Sequence, residues 1–235
     1  MLQKIHQKIS EASRRSPHQK NQDIRLIAVT KGQPVEKIEA AIDAGQRIFG
    51  DNYAQELLSH AAALVSHPSL DWHFIGHLQR NKVKKILPIV SLIHSVDSLE
   101  LAQEINRVAA LLGKTQPILI EVNIAAEENK SGLPQDRVES LVREMVPLPH
   151  IHLQGLMTLP PLSANAEDSR PYFKNLREIR DGINRKNVYK SPLRELSMGM
   201  TQDFEIAIEE GATLIRIGTG IFGERRQKRI ENRST

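Results

Sequence analysis

Short, β-branched apolar runs alternate along the chain with stretches whose apolar residues recur every three or four positions. Continuous or period-two apolar runs predict strands, and the longer period predicts helices packed on them. The pattern is therefore that of an α/β protein with a parallel sheet. Eight runs read as strands, at 26–29, 47–49, 72–75, 92–95, 118–122, 153–157, 195–197 and 214–217. Eight strands with helices between them predict a single (β/α)8 TIM-type barrel.

The helices carry their own punctuation. Pro34 is expected at a first helical position, with Val35, Ile38, Ala41 and Ile42 on one face and Gly45 past the end. A second helix is expected from an Asp97/Ser98 cap through Leu101, Ile105, Val108 and Leu112 to Gly113. Residues 2–15 predict an extra N-terminal helix that must pack outside the barrel or cover its lower end. No internal repeat or Gly/Ser-rich linker divides the chain, so residues 1–235 are expected to form one domain, with 224–235 a basic C-terminal tail.

Composition narrows the function classes. With 40% hydrophobic residues the chain has material for a full core, and its 235 residues lie close to the roughly 250 of one such barrel. The absence of cysteine excludes disulfides, thiolate metal sites and a cysteine nucleophile, and a reducing compartment, the cytoplasm, is the expected location. No stretch approaches the ~18 apolar residues of a membrane span, and no signal-peptide core is present, so no membrane partner is expected. The net charge of +4 owes much to the run Arg225, Arg226, Lys228 and Arg229, read as a solvated terminus. Three tyrosines and one tryptophan, not interleaved with those charges, give no stacking platform for nucleic acid. A monomer is expected, because no large apolar helix face is left unexplained.

In barrels of this class, functional groups gather at the C-terminal ends of strands. Lys31 closes such a strand, Leu26 to Thr30, where reduced hydration favours the neutral amine that Schiff-base formation requires. A solvated lysine at a strand end fits the same segment. The run Leu196-Ser197-Met198-Gly199-Met200-Thr201 joins a strand to a helix and could offer backbone N–H groups to an anion. An ordinary barrel loop with a capping Thr201 fits equally well. Arg216-Ile217-Gly218-Thr219-Gly220 ends the eighth strand, where barrels commonly bind phosphate. Gly218, Gly220 and Gly223 also match a dinucleotide fingerprint, but too little chain follows for the βαβ unit. The pairs His73/His77 and His150/His152 lack partners completing a metal ligand set, and no metal is expected.

Together these segments resemble the PLP-binding homeostasis family, whose barrel is similar to the N-terminal domain of bacterial alanine racemases. The resemblance spans nearly the whole chain. It rests on residues 28–31, 49–56, 72–82, 130–132, 155–157, 196–200 and 216–219. It implies a protein of vitamin B6 homeostasis that holds pyridoxal 5′-phosphate (PLP) without substantial turnover. Lys31 would form the internal aldimine, Ser197, Gly218 and Thr219 would hold the phosphate, and Gly199 would belong to the same cofactor site. Asn52 would lie near the ring, and Arg216 would face the pyridine nitrogen. A permanent cation there weakens the ring as an electron sink, which suits holding PLP more than amino-acid chemistry. PLP-requiring apoenzymes are the partners the resemblance suggests. His77 and Phe204 depart from the family pattern, where proline or asparagine and methionine are expected.

Two rival functions remain open. An amino-acid racemase would need a second base, supplied in racemases by a further β-rich domain. A phosphosugar-binding barrel enzyme would need a base such as Glu121 or Asp51.

Overall fold

The computed structural model describes residues 1–18, 23–127 and 131–224; Lys130 and the basic run at 225–229 lie outside them. Every expected apolar run is a strand. In chain order they are β1 (Arg25–Val29), β2 (Ile48–Asp51), β3 (Asp71–Phe74), β4 (Val90–Val96), β5 (Gln116–Asn123), β6 (Leu133–Pro134), β7 (Ile151–Met157), β8 (Glu195–Ser197) and β9 (Leu214–Ile217). All but β6 form a closed parallel ring. The order β1-β2-β3-β4-β5-β7-β8-β9 returns to β1, with β4 on β5 and β9 on β1 closing the circle. The unforeseen β6 is a two-residue addition to the end of β5.

The helices are α1 (Leu2–Arg15), α2 (Val35–Asp43), α3 (Ala54–Ala63), α4 (Val83–Ile86), α5 (Leu99–Leu111), α6 (Val138–Met145), α7 (Arg170–Arg185), α8 (Phe204–Glu209) and α9 (Thr219–Phe222). Pro34 is the residue before α2 and not its first turn, and Ser98 precedes α5 without a side-chain cap bond. The extra helix α1 packs outside the barrel. Its buried stripe Leu2, Ile5, Ile9 and Ala12 faces α8, and Lys8 and Arg15 reach Glu205 and Glu209 at 2.7 and 2.8 Å. Burying each isoleucine contributes at most about 1.5–3 kcal/mol, whereas exposed ion pairs contribute about 0–1. The apolar stripe therefore docks this helix.

Alternation along each strand sorts side chains into two layers. Leu26 and Ala28 join the large core between strands and helices, while Ile27, Leu92, Leu119, Met157 and Leu214 pack with Ile48 in a separate cluster inside the ring. Two residues further along the same strands the chemistry changes. His94 follows Leu92, Glu121 follows Leu119, and Arg216 follows Leu214, all of them buried. Along these strands the interior is apolar low down and polar near its C-terminal mouth, whereas β3 carries the buried His73 on the inward face.

Candidate functional site

Lys31 continues the inward series Ile27, Val29, Lys31 of β1 and lines a cavity of about 720 Å³ at that mouth. Its Nζ lies 4.9 Å from the Tyr53 ring centroid, a cation–π contact. The loop carrying it is fastened from below. The Thr30 hydroxyl donates to Asp51 Oδ2 at 3.0 Å, and Asp51 Oδ1 accepts from the Asn52 amide at 2.8 Å. His60 Nδ1 donates to Asp51 Oδ2 at 2.9 Å and His60 Nε2 to the Gln33 carbonyl at 3.2 Å. Both partners only accept, so the geometry calls for the imidazolium, and the hydrogen bond to Asp51 raises His60 above its ordinary 6.5.

That assignment sets a pH dependence. A raised folded-state value means His60 stabilises the fold fully below about pH 6.5, and the contribution fades as pH rises through the raised value. Replacing His60 by Asn should cost about 1–3 kcal/mol at pH 6 and less at pH 9, followed by thermal melting of both proteins. A difference that does not change with pH would rule out the imidazolium.

Arg216 forms the cavity floor and is only 3% exposed. One guanidinium nitrogen donates to the Thr158 carbonyl at 2.8 Å and another to the Ser197 hydroxyl. Burial lowers it to about 10, against the pull of Asp203 and Glu121, so it remains a cation at neutral pH. The register pairs Ile27 with Arg216 and Ala28 with Ile217. Lys31 and the segment after β9 therefore rise side by side from adjacent strands.

That segment, Gly218 and Thr219, opens α9 and lines the cavity. The first amides of a helix have no intrahelical acceptor and suit an anion. Facing it, Thr201 lies with its hydroxyl 3.2 Å from that of Thr219 and accepts the Gly220 amide at 3.3 Å. Thr201 thus lines the cavity beside Gly218 and Thr219, where the sequence left it between an anion-facing loop and a helix cap; the residue immediately before α8 is Asp203.

Two expected ligands lie elsewhere. Ser197 is fully buried beneath Arg216 and is not part of the cavity wall; its hydroxyl is engaged by Arg216 and, at 2.8 Å, by His94 Nδ1. The strand places it one layer below the mouth, so it supports the floor and does not face the space above. Gly199 is also outside the wall. It turns the chain with φ +92°, and an added Cβ would sit 2.5 Å from that of Ala207, so the turn itself requires glycine.

Asn52 lines the cavity as expected, and Gly76 secures it, because a Cβ there would fall 2.2 Å from the Asn52 carbonyl oxygen. The apolar side of the mouth comes from Leu159, Pro161 and Leu162, the Pro-rich loop after β7. The rival bases fare differently. Asp51 is buried and bound on both oxygens outside the cavity. Glu121, raised to about 7 by burial and by Asp97, is likewise no part of its wall. Burial also holds His94 well below the usual histidine value. Among the described residues no helix is long and apolar enough to cross a membrane.

Residues 1–226 match the family described as alanine racemase, N-terminal domain. The chain is 44% identical over 225 residues to the pyridoxal phosphate homeostasis protein of Aquifex aeolicus (strain VF5), covering 96% of this chain and 97% of that protein. Its fold matches that of PipY from Synechococcus elongatus PCC7942, solved with PLP bound, at a TM-score of 0.80 and 34% identity, over 92% of this chain and all of that one. Alanine racemase of Clostridium difficile 630 shares the fold alone, with a TM-score of 0.70 at 17% identity, over 94% of this chain and 59% of the racemase. The cavity at the mouth of this barrel thus belongs to a chain that is a member of the pyridoxal phosphate homeostasis protein family.

Proposed function

We propose that this chain binds PLP in the cavity at the barrel mouth, as a Schiff base on Lys31, and serves intracellular vitamin B6 homeostasis without substantial turnover. The observation that carries the reading is the placement of Lys31 beside the Gly218–Thr219 cradle, each just past the end of one of the adjacent strands β1 and β9. The donor set fits the group. Thr201, Thr219 and the Gly218 amide suit a phosphate dianion, and Arg216 puts a fixed cation where a ring nitrogen would lie. Asn52 would flank the ring.

PLP itself supplies a reactive aldehyde and an electron-withdrawing ring. The chain's part is to bind, orient and restrain it. Arg216 donates but cannot accept, so it favours an unprotonated ring nitrogen, the weaker electron sink. The titratable groups among the residues lining the cavity are Lys31, Asp203 and Arg216. Asp203 is held by the Ser169 hydroxyl at 2.9 Å and the Met200 amide at 2.7 Å. Release to PLP-requiring apoenzymes, a monomeric state and a cytoplasmic location belong to the same proposal.

The test is chemical. Protein loaded with PLP should absorb in the near-visible, and borohydride should fix a pyridoxyl group on Lys31, located by peptide mass mapping. An adduct on Lys82 or Lys130 would overturn the assignment. So would alanine racemisation in the common enzyme range of ~1–10³ s⁻¹ for the non-enzymic role.

A further inference from the structure

A line of hydrogen-bonding side chains runs from the cavity floor down through the barrel interior to its opposite end. From Arg216 it passes to the Ser197 hydroxyl, then to His94 Nδ1 at 2.8 Å. His94 Nε2 lies 3.0 Å from His73 Nδ1, and His73 Nε2 lies 3.4 Å from Asp71 Oδ2. Ser197, His94 and His73 are buried, whereas the Asp71 side chain is 38% exposed at the start of β3. None of the lower members touches the cavity.

The direction of every bond is fixed by the two ends. Arg216 can only donate, so Ser197 accepts from it and its own proton must go elsewhere; the acceptor within reach is His94 Nδ1. An unprotonated Nδ1 places the His94 proton on Nε2, where it donates to His73 Nδ1. The His73 proton is then on Nε2, aimed at the Asp71 carboxylate. Burial, which disfavours a charged His94, agrees with this neutral tautomer. All the dipoles point one way, from cation to anion, and bonds aligned in series polarise one another.

We propose that Ser197, His94, His73 and Asp71 are positioning residues that hold Arg216 as a fixed cation under the cofactor. The role at the pyridine nitrogen rests on the PLP reading above; the column itself does not. It explains why a serine that the sequence offers as a phosphate ligand lies below the floor. Arg216 needs an acceptor there, and the serine is turned toward it by an imidazole that accepts its proton.

Two measurements test the column. Nitrogen-15 NMR of the imidazole rings in the protein without PLP, at pH 7, should show His73 and His94 both as the Nε2–H tautomer. An Nδ1–H or imidazolium signal at His94 would overturn the proposal. PLP titration by absorbance should then show His94→Leu binding about 10-fold more weakly, the effect of a buried partner left unsatisfied. His94→Asn keeps an acceptor near the Nδ1 position and should recover to within about 3-fold of wild type on the same argument. Leu and wild-type proteins that bind alike, or Leu and Asn variants equally impaired, would overturn it. If His94→Leu does not fold, the tautomers and the Asn variant still decide. Wild-type protein that binds no PLP would sink the functional reading and leave the column to the NMR spectra.

Discussion

Lys31→Ala is expected to remove the covalent absorption band yet leave a folded barrel that still binds PLP weakly. Lys31 lies just past β1 at the mouth, where truncation opens no sealed cavity, and the Asp51–His60 clamp beneath its loop does not involve its side chain. On the proposed site, the non-covalent affinity left over should come from the phosphate cradle. Two or three charge-assisted hydrogen bonds, at about 1.5–3 kcal/mol each, hold a dianion in the micromolar-to-millimolar range. PLP titration should therefore still raise the melting temperature of the variant, as any ligand selective for the native state does. A variant that shows no PLP-dependent change at millimolar cofactor would mean that the imine supplies nearly all the affinity.

The complementary change attacks the cradle. Thr201→Val with Thr219→Val is expected to weaken PLP retention by about 10²–10⁴-fold, the loss of two charge-assisted hydrogen bonds, while Lys31 stays chemically competent. Both threonines lie at the cavity wall and outside the core, so little stability should be lost. Ser197→Ala should behave otherwise. It strips Arg216 of an acceptor and His94 of a donor inside the barrel, at a cost of about 1–3 kcal/mol of fold stability. Equilibrium dialysis and thermal melting of the two variants separate these effects. A threonine double variant that retains PLP like wild type would show that the cradle has been misplaced.

Much of the architecture is legible in the chain because its two periodicities are clean. Apolar runs such as 118–122 and 214–217 are strands, and the stripe of α1 is explicit, although nothing in it says that α8 is its partner. The two-residue β6 has no pattern to show. At the site, Lys31, Gly218 and Thr219 are legible because each sits just past a strand end. Ser197 misleads for a physical reason. It is the last residue of a three-residue strand, and only the register Met157 with Ser197 and Ser197 with Leu214 reveals that it points into the ring. The signal for Thr201 was available, a hydroxyl in the loop entering a helix, but capping competes for the same pattern. His73 and His94 are 21 residues apart, and no spacing rule brings them together; the pairing of β3 with β4 does.

The β1–β9 pairing has a consequence for the life of the chain on the ribosome. Lys31 leaves the tunnel early and Gly218 late, and the two become neighbours only when β9 zips onto β1. This is a contact of large sequence separation, whose loop-closure entropy must be met before it returns anything. With PLP bound as proposed, an amino-terminal fragment lacking β9 is expected to leave Lys31 without the cradle beside it. On that site, capture of the vitamin would report that β9 has closed the barrel onto β1.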